Sequence, residues 1–210
     1  MPGVTDARRR ILIWDAPNVD MTVATILGRK PARAERPDLA ALARWFVAEG
    51  EPGTTPEAAV FVNVPEHLVD SLGQWVQWLR ATGYRVFAKP KDGPSDVDDD
   101  MVGYLALAAA DGLVEAVVAS HDARLFIDPL ERLHEHGIRV TLLGFREHAG
   151  GLSRSSTLRY VDLEAVPGLF GIRLPRTDLA ALPMAGAWLE PLGPLGGAPA
   201  AAAPDVEVPV

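Results

Sequence analysis

The chain has 210 residues, of which 48% are hydrophobic and 23% charged, an ordinary composition for a globular protein long enough to bury a core. Its formal charge of −8 at pH 7 argues against a general nucleic-acid coat or a polybasic membrane binder, because both need a positive field. It contains no cysteine, which excludes disulfides, zinc–thiolate sites, iron–sulfur clusters and thiol nucleophiles. No apolar run is long enough to span a membrane or to form the core of a signal peptide, so we expect a cytoplasmic protein with no membrane partner.

Residues 1–10 are polar and basic, and we expect them to form a flexible arm. After them, short apolar runs rich in β-branched residues alternate with longer segments. Such runs are typical of buried strands, and their near-continuous apolar character favours a parallel sheet covered on both faces. The predicted strands are Ile11–Trp14, Ala58–Val64, Tyr84–Ala88, Val114–Ser120 and Ile138–Leu143.

Four of the intervening segments carry apolar residues at helical spacing, and each is followed by a glycine suited to a helix C-cap. The apolar stripes are Leu39, Leu42, Phe46 and Val47; Leu68, Leu72, Trp75 and Leu79; Val97, Met101, Leu105 and Ala108; and Phe126, Leu130 and Leu133. Strands and helices in alternation predict an open α/β sheet of about five strands, joined by right-handed crossovers with helices on both faces.

The remaining segments have weaker patterns. Residues 28–37 are basic and interrupted by proline, which predicts a loop after the first strand. A less regular stretch follows the fifth strand, and there we expect one short helix around Leu152–Leu158. Residues 175–210 are rich in proline, alanine and glycine without apolar periodicity, which predicts a flexible C-terminal tail after an ordered domain over 11–174.

Polar residues follow three of the predicted strands. Asp15 ends the first strand and Asn18 follows three residues later. The third strand leads into an acidic turn that contains Asp96 and the run 98–100, and the fourth ends at Ser120 and Asp122. Because the carboxyl ends of parallel strands meet at one edge of a sheet, and ligands bind there, we expect these groups to converge.

Carboxylates that converge repel one another unless a cation lies among them, and Mg²⁺ or Mn²⁺ is their usual partner. In a helix starting near Asp96, Asp99 and Asp100 lie on the same face as Asp96. Each acid also has a structural alternative. Asp96 and Asp122 are good helix N-caps, the run 98–100 suits a helix dipole, and Asp15 can form an Asx turn with Asn18. The coincidence of three acidic turns at one edge favours the joint metal site.

At these residues the sequence resembles the NYN domains, relatives of the PIN-like nucleases. The resemblance covers roughly residues 10 to 145. It rests on three motifs in order: a strand ending in D-x-x-N at Asp15–Asn18, a lysine-led turn into an acidic helix start from Lys89 to Asp100, and a strand ending in S-x-D at Ser120–Asp122.

The resemblance implies a Rossmann-like, three-layer PIN fold and a metal-dependent ribonuclease that hydrolyses RNA phosphodiester bonds with Mg²⁺ or Mn²⁺. It implies RNA as the partner and RNA processing as the role. The residues implied as metal ligands are Asp15, Asp96, Asp99, Asp100 and Asp122. The implied catalytic set is Asp15, Asn18, Asp96, Asp100 and Asp122, with Asn18 orienting Asp15 or a bound water and Ser120 supporting the site.

Two positions depart from the family pattern. Arg124 stands where the family commonly has another acid, and His121 stands where it commonly has glycine. Arg124 can hold a substrate phosphate, or it can mark a member that binds RNA without cutting it. A non-catalytic RNA-binding or scaffold protein with a degenerate metal site is therefore the alternative function. For His121, a surface or hydrogen-bonded structural role is favoured over a metal ligand.

Other features extend the site or leave alternatives open. Arg146 lies in the loop after the fifth strand, which reaches the same edge and is either a substrate-contacting flap or a plain connection. Arg8–Arg10 and the basic loop at 28–37 either border the site or form ordinary solvated surface. A homodimer, and a protein partner bound through the tail at 175–210, also remain open.

Overall fold

The computed structural model describes residues 8–92, 97–148, 155–175, 182–191 and 195, with the side chains of residues 123 and 124 excepted. Within these ranges the chain forms one parallel sheet of six strands in the order β3-β2-β1-β4-β5-β6. The strands are β1 (Arg9–Asp15), β2 (Thr55–Val64), β3 (Arg85–Pro90), β4 (Leu113–Ala119), β5 (Arg139–Gly144) and β6 (Arg159–Asp162). The expected α/β three-layer architecture is confirmed, with one strand more than the sequence predicts.

Helices cover both faces of the sheet. They are α1 (Ala16–Leu27), α2 (Leu39–Ala48), α3 (Val69–Ala81), α4 (Asp98–Ala109) and α5 (Ala123–Glu135). Alternate residues of β1 enter different cores: Leu12 and Trp14 pack with α1, α2 and α3, whereas Ile11 and Ile13 pack with α4 and α5. The central strand is therefore buried on both sides, as its continuous apolar run predicts.

The structure corrects several expected boundaries. Strand β1 begins at Arg9, so Arg9 and Arg10 belong to the sheet and not to an N-terminal arm. Helix α1 is missing from the sequence-based description, which placed only a loop after the first strand. Residues 155–158 are not helical, and a four-residue strand, β6, follows them, so the helix expected around Leu152–Leu158 is wrong over its described part.

Two further observations bear on function. None of the described helices, which reach at most 13 residues, is long and apolar enough to cross a membrane. The described parts of the C-terminal segment, residues 182–191 and 195, contain neither helix nor strand.

Candidate active site

The strand order places a switch point between β1 and β4. From β1 the chain winds outward through β2 to β3, and from β4 it winds in the opposite direction through β5 to β6. Helices leaving the carboxyl ends of β1 and β4 diverge there and leave a crevice, which is where open α/β sheets bind ligands. Asp15 is the last residue of β1, and Ser120 follows the last residue of β4.

Asp15 is a buried carboxylate whose orientation is fixed from both sides of this crevice. Only 2% of its surface is exposed. Its Oδ2 accepts a hydrogen bond of 2.8 Å from the Ser120 hydroxyl, and its Oδ1 accepts one of 3.3 Å from the Asn18 main-chain N–H at the start of α1. A buried charge needs such donors, and a helix N-terminus favours a negative charge. The N-cap role and a ligand role for Asp15 are therefore compatible.

Asp122 lies beside the same hydroxyl. Its main-chain N–H donates to Ser120 Oγ over 3.2 Å, and its Oδ1 accepts from the Leu125 N–H over 3.2 Å, so Asp122 caps α5. Asp15 and Asp122 are thus joined through Ser120. Of the predicted site residues, the structure brings together Asp15, Asn18, Ser120 and Asp122.

The Asn18 side chain faces His121. Its Oδ1 accepts from the His121 main-chain N–H over 2.8 Å and lies 3.0 Å from His121 Nδ1. Because a main-chain N–H can only donate, the oxygen of the carboxamide must face His121, and the NH₂ group is directed elsewhere. Asn18 therefore orients Asp15 through its backbone, while its side chain keeps an N–H group for another acceptor.

His121 has the hydrogen-bonded structural role that the sequence favours, with more partners than the sequence reveals. Its Nε2 accepts from the Phe145 main-chain N–H over 2.8 Å, and its ring stacks on Phe145 at a centroid distance of 5.6 Å. Burial, assisted by the nearby His148, lowers the pKa of His121 to about 4, and Asp162 opposes that shift. The ring is therefore neutral near pH 7. The sequence signal was the histidine at a position where the family commonly has glycine.

The absence of a side chain at Gly144 leaves room for the His121 ring. A Cβ at Gly144, the last residue of β5, would lie 2.8 Å from the Tyr160 hydroxyl and 3.2 Å from His121 Nε2. Real Cβ atoms essentially never approach within 3.0 Å of another heavy atom, so a side chain at 144 would force its neighbours to move. The His121 ring and the end of β5 therefore fit together because residue 144 is glycine.

The second acidic segment is only partly described. Asp96 lies outside the described residues, and α4 begins at Asp98, so Asp96 precedes the described helix. Asp99 is exposed. The Asp100 carboxylate is half-buried and accepts from Lys89 Nζ over 2.8 Å, which joins the start of α4 to the end of β3. The lysine that leads this motif is thus an ion-pair partner of one of the predicted ligands.

Two predicted arginines lie at the same edge of the sheet. Arg124 is the second residue of α5, and its side chain lies outside the described part. Arg146 is exposed in the turn after β5, where its main-chain N–H donates to Asp162 Oδ2 over 3.3 Å. Arg9 and Arg10 instead begin β1, at the opposite edge, so the option that they border this site is wrong.

The strand order, together with the acidic groups after β1 and β4, defines an α/β domain of the Rossmann-like class with an acidic crevice at its switch point. The family model of the NYN domain matches residues 9–164, and the chain belongs to the NYN domain family, a family of PIN-like nuclease domains. The resemblance noted in the sequence is thereby confirmed.

A similar solved structure is a protein of unknown function from Vibrio parahaemolyticus. It is 18% identical, with a TM-score of 0.60, and the match covers 80% of this chain and 98% of that one. At this identity the likeness supports the fold alone. Comparison with curated proteins returned no match.

Proposed function

We propose that this protein is a metal-dependent endoribonuclease, which hydrolyses RNA phosphodiester bonds with Mg²⁺ or Mn²⁺. The observation that carries the proposal is the Asp15 carboxylate, buried at the switch point and held by the Ser120 hydroxyl. The second carboxylate, Asp122, begins the helix on the other side of the crevice. Family membership supports the same class of reaction.

The chemistry of the side chains suits these ions. Asp15 and Asp122 offer carboxylate oxygens, which Mg²⁺ and Mn²⁺ prefer, and each oxygen can accept in more than one direction. Among the described residues, no three acidic or histidine side chains form a group able to hold a metal. The ligand set that we propose is the one that the family resemblance implies, Asp15, Asp96, Asp100 and Asp122 with Asp99 beside them, and Asp96 lies outside the described residues.

A divalent ion bound by these residues would supply a more acidic water and positive charge next to the phosphate. The side chains of the protein would orient Asp15 and bind the RNA. Ser120 holds Asp15 in one orientation, and the Asn18 NH₂ group is a donor for a phosphate oxygen or a water. Arg124 and Arg146 are cations for the RNA backbone, since a guanidinium binds phosphate through two N–H groups.

The decisive test is cleavage of a single-stranded oligoribonucleotide by the purified protein. We expect cleavage with Mg²⁺ or Mn²⁺, none in EDTA, and a loss of at least about 100-fold in Asp15→Asn, in which the carboxylate is neutralised without a change in size. Asp128→Asn, at an exposed position of α5, is the matched control and should cleave like the unmodified protein. Equal cleavage by Asp15→Asn and Asp128→Asn would remove the basis of the proposal.

Two positive charges near the acidic residues favour a second function, RNA binding without cleavage. Lys89 pairs with Asp100, and Arg124 stands two residues after the S-x-D motif, where the family commonly has another acid. In that case the protein would retain the oligoribonucleotide in EDTA and leave it intact when Mg²⁺ or Mn²⁺ is added. Fluorescence anisotropy and gel electrophoresis on the same samples separate the two functions.

A further inference from the structure

A cavity of about 220 Å³ lies far from Asp15, at the amino ends of the strands. The polar wall of the cavity follows from the register of the sheet. Arg10 of β1 lies opposite Glu115 of β4, and Glu115 lies opposite Arg139 of β5. One step further along the same face, Thr141 of β5 is the partner of Arg159 in β6. Residues from four neighbouring strands therefore face one space.

The floor of this cavity is a rigid ion pair. Arg10 is 1% exposed, donates through Nε to Glu115, and donates through Nη1 to the Phe46 carbonyl over 3.0 Å. Its guanidinium also lies 4.5 Å from the centre of the Phe46 ring. A Cβ at Gly50 would overlap Arg10 Nη1, so a side chain at position 50 would force the Arg10 guanidinium to move. These contacts occupy Arg10 and hold the floor in place.

Two groups on the wall have no hydrogen-bond or ion-pair partner within the described part of the chain. The Thr141 hydroxyl lines the cavity, is open to it, and makes no hydrogen bond with a described residue. Arg159 is exposed, lines the same cavity and forms no ion pair with any described residue. Both groups can therefore exchange water for a ligand in the cavity.

The charge and size of the cavity indicate the class of ligand. Arg10 pairs with Glu115, and Arg139 pairs with Glu51 and Glu115, which leaves Arg159 as the arginine of the lining with no ion pair among the described residues. Trp45 and Val117 add apolar surface. The volume is below the roughly 300 Å³ at which pockets for drug-sized ligands begin, so it suits a small molecule.

From these features we infer that the cavity binds a small organic anion, with one phosphate or carboxylate group held by Arg159 and the Thr141 hydroxyl and an apolar part against Trp45. The sheet separates this site from the candidate active site at the opposite edge. The inference does not depend on nuclease activity, because no group of the acidic crevice takes part.

Isothermal titration calorimetry of the full chain in EDTA tests this site, with phenyl phosphate and benzoate as anionic probes and phenol as their neutral counterpart. We expect saturable 1:1 binding of at least one anion and at least tenfold weaker binding of phenol. Inorganic phosphate, run in parallel, shows whether the apolar part contributes. Equal binding of phenol and the anions, or no saturable binding of either anion, would refute the inference.

Single substitutions test where the anionic probe binds. Arg159→Gln and Thr141→Val should each weaken it, Arg159→Gln by at least tenfold, whereas Arg132→Gln, on the exposed surface of α5, should not. Asp15→Asn should bind the probe unchanged. If Arg159→Gln binds normally, or if Asp15→Asn abolishes binding, the anion is held elsewhere and the inference is wrong. Circular dichroism of each variant checks that it is folded.

Discussion

The carboxamide oxygen of Asn18 accepts from the main-chain N–H of His121 and lies within hydrogen-bond distance of that residue's ring. Because His121 Nε2 accepts the Phe145 N–H, the proton of the neutral ring is on Nδ1, the atom that faces Asn18. Helix α1 and the ends of β4 and β5 are thus connected by one imidazole. Thr22 Oγ1, 3.1 Å from Nδ1, is also within reach.

Replacing His121 by phenylalanine removes the hydrogen bonds of its ring and keeps an aromatic side chain in the same place. An aromatic ring remains, but the Phe145 N–H loses its acceptor on the ring, whereas Asn18 Oδ1 keeps the main-chain N–H of residue 121. A buried polar group that loses its partner costs about 1–3 kcal/mol, so we expect the free energy of unfolding in urea at pH 7 to fall by about that amount. His67→Phe, at an exposed position, is the control. Equal stability of the two variants would show that the hydrogen bonds of His121 contribute nothing.

The low pKa of His121 predicts how this contribution changes with pH. The pKa is about 4 in the folded protein and near 6.5 in the unfolded chain, so between these values the unfolded state binds more protons. The contribution of the neutral ring to the free energy of unfolding is fully present above about pH 6.5 and is lost as the pH falls toward 4. The difference in unfolding free energy between the unmodified protein and His121→Phe should therefore narrow from pH 7 to pH 4.5. A constant difference would contradict the pKa.

Ser120 should contribute to stability through Asp15. Ser120→Ala removes a hydrogen bond to a carboxylate that is 2% exposed, and hydrogen bonds to charged groups contribute about 1.5–3 kcal/mol. We expect a loss of that size in urea unfolding at pH 7. Ser120→Thr, which keeps the hydroxyl, should lose less. If alanine and threonine are equivalent, the hydroxyl does not stabilise Asp15.

The ion pair between Lys89 and Asp100 offers a test of which acids hold metal. Both side chains are about one-third exposed, so the pair itself is worth less than about 1 kcal/mol. If Asp100 is a ligand, Lys89→Met removes a competitor for its carboxylate, and we expect Mn²⁺ to bind several-fold more tightly. The binding constant follows from the rise in melting temperature with Mn²⁺ concentration. In Lys89→Met/Asp100→Asn the gain should disappear, and its persistence would exclude Asp100 from the ligand set.

The buried pair of Arg10 and Glu115 predicts a large effect at the opposite edge. Glu115→Gln leaves the Arg10 guanidinium, 1% exposed, without its carboxylate, and breaking a buried pair in this way costs about 3–5 kcal/mol. The free energy of unfolding should fall by that amount. Glu57→Gln, which breaks a more exposed pair with Arg9, should lose much less. Similar losses in the two variants would show that burial does not govern this pair.

The sequence predicts the layers of this fold better than its edges. Continuous apolar runs identify β1, β2, β4 and β5, because strands buried on both faces need apolar residues at every position. Strand β6 escapes prediction because its four residues are at most half-buried and carry no such run. Helix α1 escapes because Pro17 and β-branched residues obscure its period, although proline suits the first turn of a helix.

In the candidate site, the residues at the strand ends can be predicted from the sequence, whereas the contacts between distant residues cannot. Strand ends and topology bring Asp15, Ser120 and Asp122 to one crevice, as the spacing of the motifs predicts. The hydrogen-bonded structural role favoured for His121 is found, but its partners could not be foreseen, because they include Phe145, 24 residues away, and depend on the register of β4 and β5. Likewise, nothing in the run Arg8–Arg10 reveals that Arg10 points inward to Glu115, which lies 105 residues further along the chain.

Gly144 links two side chains that lie far apart in the sequence. A Cβ at position 144 would lie 2.8 Å from the Tyr160 hydroxyl and 3.2 Å from the His121 ring, so a larger residue there would require both side chains to move. Substitution of Gly144 is therefore unfavourable while His121 and Tyr160 are both present, although Gly144 has no part in the proposed chemistry. Relatives that combine this histidine with this tyrosine should carry glycine at the end of the neighbouring strand.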